Sequence, residues 1–208
     1  YKFRAHAYRG LKMYEQALAD YDRSLELAPA YYFTYKRRAL VHFYLKNYDK
    51  ALADIGKAIE LAPTDYSTLT WISLEEVANC PDEGFRKGIL QAADKAGGLT
   101  KGAADAEATR LAIYRALATE DDFERALQQE PGSAAWRLER GSYHGRQARW
   151  AEAIADYDKA LALRPDDAKL RNSLAWQLST SFADRSEAST SYALQLAKKA
   201  VEMAPNNG

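Results

Sequence analysis

Large and small apolar residues recur along the chain at spacings of three and four positions, which is the pattern of helices that bury one face. In one stretch the small residue Ala5 is followed 12 positions later by Ala17 and 16 positions later by Tyr21. Large side chains on one helix can fill the gaps that small ones leave on its neighbour. The stretch therefore predicts two helices packed together. Two further stretches repeat it, with Ala39, Ala51 and Ile55 and with Gly141, Ala153 and Tyr157.

Proline ends the second predicted helix of each stretch at a fixed period. Pro29 and Pro63 are 34 residues apart, Pro131 and Pro165 are also 34 apart, 68 residues separate the two pairs, and Pro205 ends the last copy. Proline cannot continue a helix, and a period of this size indicates stacked helix pairs. We therefore predict an all-α fold: a right-handed α-solenoid of about six antiparallel helix pairs, without strands.

The period divides residues 1–208 into six repeats of a single array. The third and last repeats have a longer turn between their helices, marked by Pro81 and Gly84 and by residues 183–190, and the fourth repeat is shortened. The predicted repeats are 1–31, 32–65, 66–100, 101–132, 133–167 and 168–205. The predicted helices are 4–12, 15–27, 33–45, 49–61, 66–79, 86–96, 104–117, 120–130, 134–147, 151–163, 168–181 and 190–203.

In three repeats an arginine on the first helix is matched by an aspartate 16 positions later, on the second helix. In the two longer repeats both positions are apolar, Ile72 with Ala92 and Leu174 with Leu196. An unpaired charge between packed helices would be costly, so the joint change indicates partly buried salt bridges rather than catalytic carboxylates. The predicted pairs are Arg4–Asp20, Arg38–Asp54 and Arg140–Asp156.

The repeated pattern of small, aromatic and proline positions resembles the tetratricopeptide repeat (TPR), and its longer turns resemble a variant of large bacterial proteins. The resemblance covers nearly the whole chain. It implies a superhelix whose concave face, lined by the first helix of each pair, binds extended peptides or helices of partner proteins. The residues that correspond by position to this face are Lys2, His6, Arg9, Phe33, Lys36, Leu40, Phe43, Thr70, Leu74, Val77, Leu138, Ser142, Asn172 and Trp176.

Some members of the family hold a partner's terminal carboxylate with lysine and asparagine on that face. Lys2 and Lys36 match this arrangement in part, whereas His6 and Leu40 stand where asparagine is expected. Because Lys2 and Arg9 lie one helical turn from His6, we expect a lowered pKa for His6, which a bound acidic group would raise. Affinity for an acidic partner is then expected to increase as pH falls. For each aromatic residue of the face, packing against a neighbouring repeat is the alternative.

The overall charge is zero, which argues against general binding to nucleic acid or to anionic membranes. The charge is unevenly distributed: residues 1–50 hold 10 basic and 5 acidic residues, a net +5, and residues 51–130 hold 8 and 15, a net −7. Cys80 is the single cysteine, the three histidines are far apart, and no catalytic motif is present. We expect no enzyme activity, no cofactor and no metal.

These observations favour a non-enzymatic scaffold for a protein or peptide partner, which the basic N-terminal region predicts to be acidic, with neither nucleic acid nor membrane as a partner. Two other functions stay open. The charge asymmetry would suit self-association, and helical repeats of similar period bind RNA in another family. The chain starts at Tyr1 without methionine, so we expect it to be a segment of a larger protein. Its cellular compartment stays open as well.

Overall fold

The computed structural model describes residues 1–70, 72–100, 103–180 and 187–203, and within these residues every regular element is helical. The all-α prediction is confirmed. Apart from the third repeat, the predicted helix ends agree with the structure to within three residues. The α-helices are α1 (Lys2–Gly10), α2 (Tyr14–Leu27), α3 (Tyr32–Tyr44), α4 (Tyr48–Leu61), α5 (Leu74–Ala78), α6 (Glu83–Leu99), α7 (Ala104–Leu117), α8 (Glu120–Gln129), α9 (Ala134–Arg146), α10 (Trp150–Leu163), α11 (Ala168–Thr180) and α12 (Glu187–Met203).

The helices form two compact units, one from Tyr1 to Leu117 and the other from Ala118 onward. In the first unit α1 packs on α2, α2 on α3, α3 on α4, α4 on α6, and α6 on α7. In the second unit α8 packs on α9, α9 on α10, and α11 on α12. Most helices that follow one another in sequence thus pack on one another within each unit, as expected for helical repeats, whereas α5 packs on α7. That both units belong to one array stays a prediction.

Three of the turns that join the two helices of a pair share one backbone conformation. Lys12, Lys46 and Ala148 have φ angles of 59°, 60° and 59°, in the left-handed region. Three residues separate α1 from α2, α3 from α4 and α9 from α10. So short a connection reverses the chain and makes each pair antiparallel.

The small residues predicted at helix crossings are buried, as the repeat pattern requires. Ala5, Ala17, Ala51 and Ala153 have no exposed surface. Ala5 and Ala17 contact Tyr21 in a core cluster within the first unit. Small side chains at these points let the helices approach closely, and large side chains such as Tyr21 fill the gaps that they leave.

The predicted helix 66–79 is wrong. The chain forms a 3₁₀ turn at Tyr66–Thr68 and then the short helix α5, and position 71 lies outside the described residues. Two side chains begin these elements separately: Asp65 accepts a hydrogen bond from the Ser67 amide, and Ser73 caps α5 by accepting from the Glu76 amide at 3.1 Å. Because polar caps favour a new helix start, the segment breaks in two.

The second helix of this repeat is longer than predicted. Asp82 caps its start, with Oδ1 accepting from the Phe85 amide at 2.6 Å, and the helix then continues through Gly97. A Cβ at position 97 would lie 3.1 Å from Cδ of Arg110, so glycine there permits the close passage of α7. The turn predicted at 183–190 lies partly outside the described residues, and Pro205 lies outside them too. None of the described helices is both long enough and apolar enough to cross a membrane.

Candidate functional site

All three predicted Arg–Asp pairs are present, and each is bidentate. The aspartates are almost fully buried, whereas the arginines keep some exposure. Hydrogen bonding to Arg4 lowers the pKa of Asp20. The guanidinium nitrogens donate to the two carboxylate oxygens at 2.6 and 2.7 Å in Arg4–Asp20, at 2.8 and 2.6 Å in Arg38–Asp54, and at 2.7 and 2.7 Å in Arg140–Asp156. These carboxylates therefore hold helix pairs together.

A fourth pair was missed because its order in the chain is reversed. Asp94 on α6 precedes Arg110 on α7 by the same 16 positions, and Arg110 Nε lies 2.9 Å from Asp94 Oδ1. Tyr114 Oη also donates to Asp94 Oδ2 at 2.8 Å. The spacing alone, sought in either order, would have found this pair.

The structure corrects the assignment of Lys36 and Leu40 to an open face, and it places the half-buried Phe43 against the third repeat. Lys36 is 3% exposed, and its Nζ lies 3.4 Å from Asp65 Oδ2 and donates to Ser67 Oγ. Leu40 is buried in the core. The Phe43 ring packs on Phe85, with centroids 5.3 Å apart. The alternative of packing against a neighbouring repeat is thus right for Phe43, and Lys36 is an internal cation.

The other predicted residues of this face do not form one surface. In the third repeat Thr70 lies in a turn, Leu74 begins α5 half-buried, and Val77 is buried, because the expected first helix is broken. In the second unit Leu138 packs on the core and Ser142 is buried. The two predicted residues of α11, Asn172 and Trp176, are exposed.

The structure brings three of the predicted residues together around one cavity of about 250 Å³ between α1, α2 and α3. Lys2 and His6 come from α1, and Phe33 comes from α3. Sequence reasoning missed the other residues of the wall, because it placed Tyr21 in the repeat core and left the rest unassigned. These are Phe3, Tyr21, Tyr31, Thr34 and Arg37.

The cavity is aromatic and cationic, and no carboxylate lines it. The Arg37 guanidinium carbon lies 4.5 Å from the centroid of the Phe33 ring, and Lys2 Nζ lies 4.6 Å from that of Tyr31. Both distances are in the range of cation–π contacts, which hold the two cations against the cavity walls.

The charges beside the cavity shift the pKa values of its titratable groups. Burial lowers the pKa of His6, and Arg9 and Arg37 lower it further. Burial also lowers the pKa of Arg37, with Arg9 adding repulsion. Burial raises the pKa of Tyr21, against the effect of the two arginines. The direction expected for His6 agrees with the structure, although burial and not Lys2 is the main cause. An anion in the cavity would relieve this repulsion.

No group of three or more His, Cys, Asp or Glu side chains in the described parts of the chain is placed to hold a metal ion. Cys80 is buried and lies beside the hydroxyl of Tyr48, whose pKa it raises through a hydrogen bond. It is not part of the cavity.

Residues 3–31 and residues 32–65 each match a sequence model of the tetratricopeptide repeat. None of the curated proteins compared with the chain matches it. The similar solved structures include the crystal structure of MamA, 18% identical, which covers 79% of this chain and 96% of its own with a TM-score of 0.41. They also include YrrB, described as a TPR protein with an unusual peptide-binding site, 20% identical over 81% of this chain and 87% of its own, with a TM-score of 0.42. A tetratricopeptide repeat protein from Parabacteroides merdae is 17% identical over 98% of this chain and 77% of its own, with a TM-score of 0.40.

Proposed function

We propose that this chain is a non-enzymatic scaffold whose N-terminal repeats, which match the tetratricopeptide repeat over residues 3–65, bind a peptide or helix of a partner protein. The partner segment carries negative charge and at least one apolar anchor. It lies along α1 and α3, over the cavity that those helices form with α2.

The observation that carries this proposal is the cavity wall itself. Four aromatic rings and two long cations surround a space of about 250 Å³, with no acidic side chain in the wall. Ring faces that are partly open and held in place are the surfaces that tend to contribute most to the affinity of protein complexes. Positive charge around them steers and orients an acidic segment.

The binding face is smaller than the sequence predicted, and this changes which variants can test it. Lys36→Glu would place a buried negative charge 3.4 Å from the oxygen now contacted by Lys36, so the variant would destabilise the fold whether or not a partner binds nearby. Phe43→Ala would leave a hole beside Phe85. Arg37 and Phe33, half-buried in the cavity wall, are the residues to change.

The test is a titration of the chain with short fluorescent peptides. One set is rich in aspartate and glutamate with a single leucine or phenylalanine, and a matched set has lysine in place of the acids. We expect the acidic set alone to bind, and Arg37→Glu and Phe33→Ala to weaken that binding by about tenfold or more each. The matched controls are Asn172→Glu and Trp176→Ala on α11, which should bind as the wild type does. Equal binding of both peptide sets, or equal losses in the α11 controls, would refute this site.

His6 adds a dependence on pH with a defined sign. In the free chain the pKa of His6 is lowered, and a bound carboxylate would raise it. Binding then takes up a proton, so affinity should increase as pH falls from about 7.5 to 6, by less than tenfold for a shift of about one pKa unit. In a His6→Gln variant the dependence should vanish. An affinity that falls over the same range would contradict the proposal.

A further inference from the structure

A second depression in the first unit lies between the end of α3, the start of α4 and the short helix α5, and is called the α3–α5 groove below. Its volume is about 410 Å³. Rings from α3 and α4 line it, those of Phe43, Tyr44 and Tyr48, and α5 contributes the glutamates Glu75 and Glu76. The groove shares no described lining residue with the cavity of α1, α2 and α3.

Two further rings hold the aromatic residues of the groove in place. Tyr14 stacks on Tyr44, with centroids 5.7 Å apart and 22° between the ring planes. Phe85 packs on Phe43 and Tyr48, with centroids 5.3 and 5.1 Å away. Tyr44 is nevertheless 40% exposed, and the other two rings of the groove are half-buried. Ring surface is thus fixed in position before a ligand arrives, which lowers the entropy cost of binding.

The two glutamates differ in how far their carboxylates are already used. Glu76 belongs to the capping box of α5, where its Oε2 accepts from the Ser73 amide at 3.3 Å and from the Ser73 hydroxyl at 2.9 Å. Burial raises the pKa of Tyr44, and the charge of Glu76 raises it further. The Glu75 side chain is exposed and has neither an ion pair nor a hydrogen bond in the described part of the chain. One carboxylate beside the rings is therefore available to a ligand.

The chain does not neutralise these two carboxylates with a cation of its own. Lys46 is the one cation among the described residues that line the groove, and it forms no salt bridge within the described ranges. The surrounding sequence is acidic as well, since residues 51–130 carry a net charge of −7. Exposed rings beside an excess of negative charge favour a cationic ligand.

We propose that the α3–α5 groove binds an arginine side chain of the same partner segment. This deepens the proposed function and rests on it. The guanidinium lies on the ring of Tyr44 and donates to Glu75, Glu76 adds negative charge, and the methylenes lie against Phe43. A planar guanidinium can stack on a ring and donate from its edge at the same time, whereas the lysine ammonium is more strongly hydrated and cannot stack. The groove therefore selects arginine over lysine.

Both sites involve α3, which fixes the spacing of the partner residues that they bind. Phe33 at the cavity and Phe43 at the groove are ten residues apart on this helix. Ten residues correspond to roughly 15 Å along a helix axis. An extended segment covers roughly 15 Å in about five residues. We therefore expect about five residues between the acidic, apolar anchor of the partner and its arginine.

The first probe is N-acetyl-arginine amide, and its controls are the corresponding amides of citrulline, which has nearly the same shape without the charge, and of lysine. Binding is followed by the backbone amide NMR shifts of the whole chain. We expect a Kd on the order of 10 mM for the arginine amide, with changes at Tyr44, Glu75 and Asn79, and shifts at least fivefold smaller for both controls at the same concentration. Equal shifts with either control would overturn the selection of a planar cation.

Matched variants then test the acceptor. Glu75→Gln keeps the size and removes the charge, so it should abolish the preference for arginine over citrulline. Glu124→Gln makes the same change at an exposed position of α8, outside the groove, and should leave the preference intact. Lys46→Gln removes a like charge and should strengthen arginine binding by about twofold to threefold. Unaltered arginine binding in Glu75→Gln, in a variant with the melting temperature of the wild type, would overturn the site.

Peptides test the link between the two sites. An acidic peptide with one apolar anchor carries arginine five residues before or after the anchor, and its control carries citrulline there. We expect arginine in one of the two orders to bind about tenfold more tightly than citrulline, and Glu75→Gln to remove this gain.

The outcomes separate this inference from the proposed function. If the acidic peptides bind but arginine gives no gain in either order, the scaffold function stands and the inference is wrong. If the arginine amide shifts the groove resonances as expected while no peptide binds, the proposed function is wrong and the groove remains a site for a guanidinium.

Discussion

The helix triplets α1–α2–α3 and α9–α10–α11 share a repeat but differ at the positions around its buried tyrosine. Tyr21 and Tyr157 are 136 residues apart, four periods of 34, and both are buried. Around Tyr21 stand Lys2, His6 and Arg9. The residues four periods later are Leu138, Ser142 and Gly145, of which Leu138 packs on the core and Ser142 bonds to Tyr157.

The comparison separates two sets of positions in one repeat. The crossing alanine of the second helix, Ala17 or Ala153, and the Arg–Asp pair are the same in both triplets, so they build the framework. At the positions that differ, the second triplet has apolar contacts and a hydrogen bond from Tyr157 to Ser142. The first triplet instead has a cationic cavity, and the Tyr21 hydroxyl in its wall has no hydrogen bond of standard geometry in the described residues. A binding site can thus arise in a repeat protein without any change to the residues that fold it.

The largest expected effect tests the shared framework. Ala51 in the first unit and Ala153 in the second have no exposed surface. Aspartate at either site would overpack the helix crossing and bury an unpaired charge, so Ala51→Asp and Ala153→Asp should each destabilise the chain by about 3 kcal/mol or more. Ala7→Asp, on the exposed side of α1, is the control and should have a small effect. Urea denaturation followed by circular dichroism measures all three, and wild-type stability of either buried variant would mean that the packing face is wrongly assigned.

A smaller effect should separate the two triplets. Gly141 stands where the first two repeats have Ala5 and Ala39, and a Cβ there would lie 2.6 Å from Cε1 of Tyr157 and 3.2 Å from the Ala153 carbonyl oxygen. Gly141→Ala should therefore destabilise by about 1–3 kcal/mol.

The control for this change is Gly56→Ala. Position 56 lies inside α4, and nothing comes within 4 Å of its added Cβ. Since alanine is the better helix former, Gly56→Ala should stabilise by roughly 1 kcal/mol. Thermal melts distinguish the two signs, and a stabilised Gly141→Ala would show that α9 and α10 separate readily.

The buried imidazoles should make both triplets less stable in acid. Burial, and after it Arg149, lowers the pKa of His144, although Asp156 Oδ2 and Glu120 Oε1 lie 3.7 and 3.8 Å from its Nε2. Burial likewise lowers the pKa of His42, against the effect of Asp54. A histidine with a lowered folded pKa contributes stability that is present above its unfolded pKa of about 6.5 and is lost as pH falls toward the folded value.

The free energy of unfolding should therefore decrease between pH 7 and pH 5, and less so in His144→Gln and in His42→Gln than in the wild type. Denaturation curves at several pH values provide the measurement. A decrease that is equally steep in both variants would assign the acid sensitivity to other groups.

The smallest effect concerns the two tyrosines in the absence of ligand. Tyr157→Phe loses a long hydrogen bond to Ser142 and should destabilise by about 0.5–1 kcal/mol. Tyr21→Phe removes a buried hydroxyl that has no partner in the described structure, so it should be neutral or slightly stabilising. Calorimetry of the two variants gives the comparison directly, and a larger loss in Tyr21→Phe would mean that its hydroxyl has an internal role.

The framework could be predicted from the sequence because each of its contacts repeats. The 34-residue period located the helices, and the joint change of Arg and Asp located three salt bridges before any coordinates. The third repeat escaped the prediction because Asp65 and Ser73 are local helix caps that the period does not encode. Local capping decided where the helix broke, against the pattern of apolar positions.

The site was predictable only in part, since position in the repeat tells which helix face a residue occupies and not how deeply it is buried. Lys2, His6 and Phe33, which the sequence assigned to the concave face, line the cavity. Lys36 has the repeat position of Lys2, yet it is buried, because its ammonium group contacts Asp65 and Ser67 at the turn that follows α4. The exposure of a residue depends on the neighbouring repeat, so it cannot be predicted from the pattern of a single repeat.

The most direct test of the account is the set of backbone amide NMR shifts that the acidic peptides change in this chain. The account predicts changes concentrated at Lys2, His6, Tyr21, Phe33 and Arg37, the residues at the cavity of α1, α2 and α3. It predicts unchanged shifts around Leu138, Ser142 and Tyr157 in the equivalent triplet. Changes of equal size at both tyrosines, or changes only in the second triplet, would contradict the claim that the cationic cavity of the first repeats is the binding site.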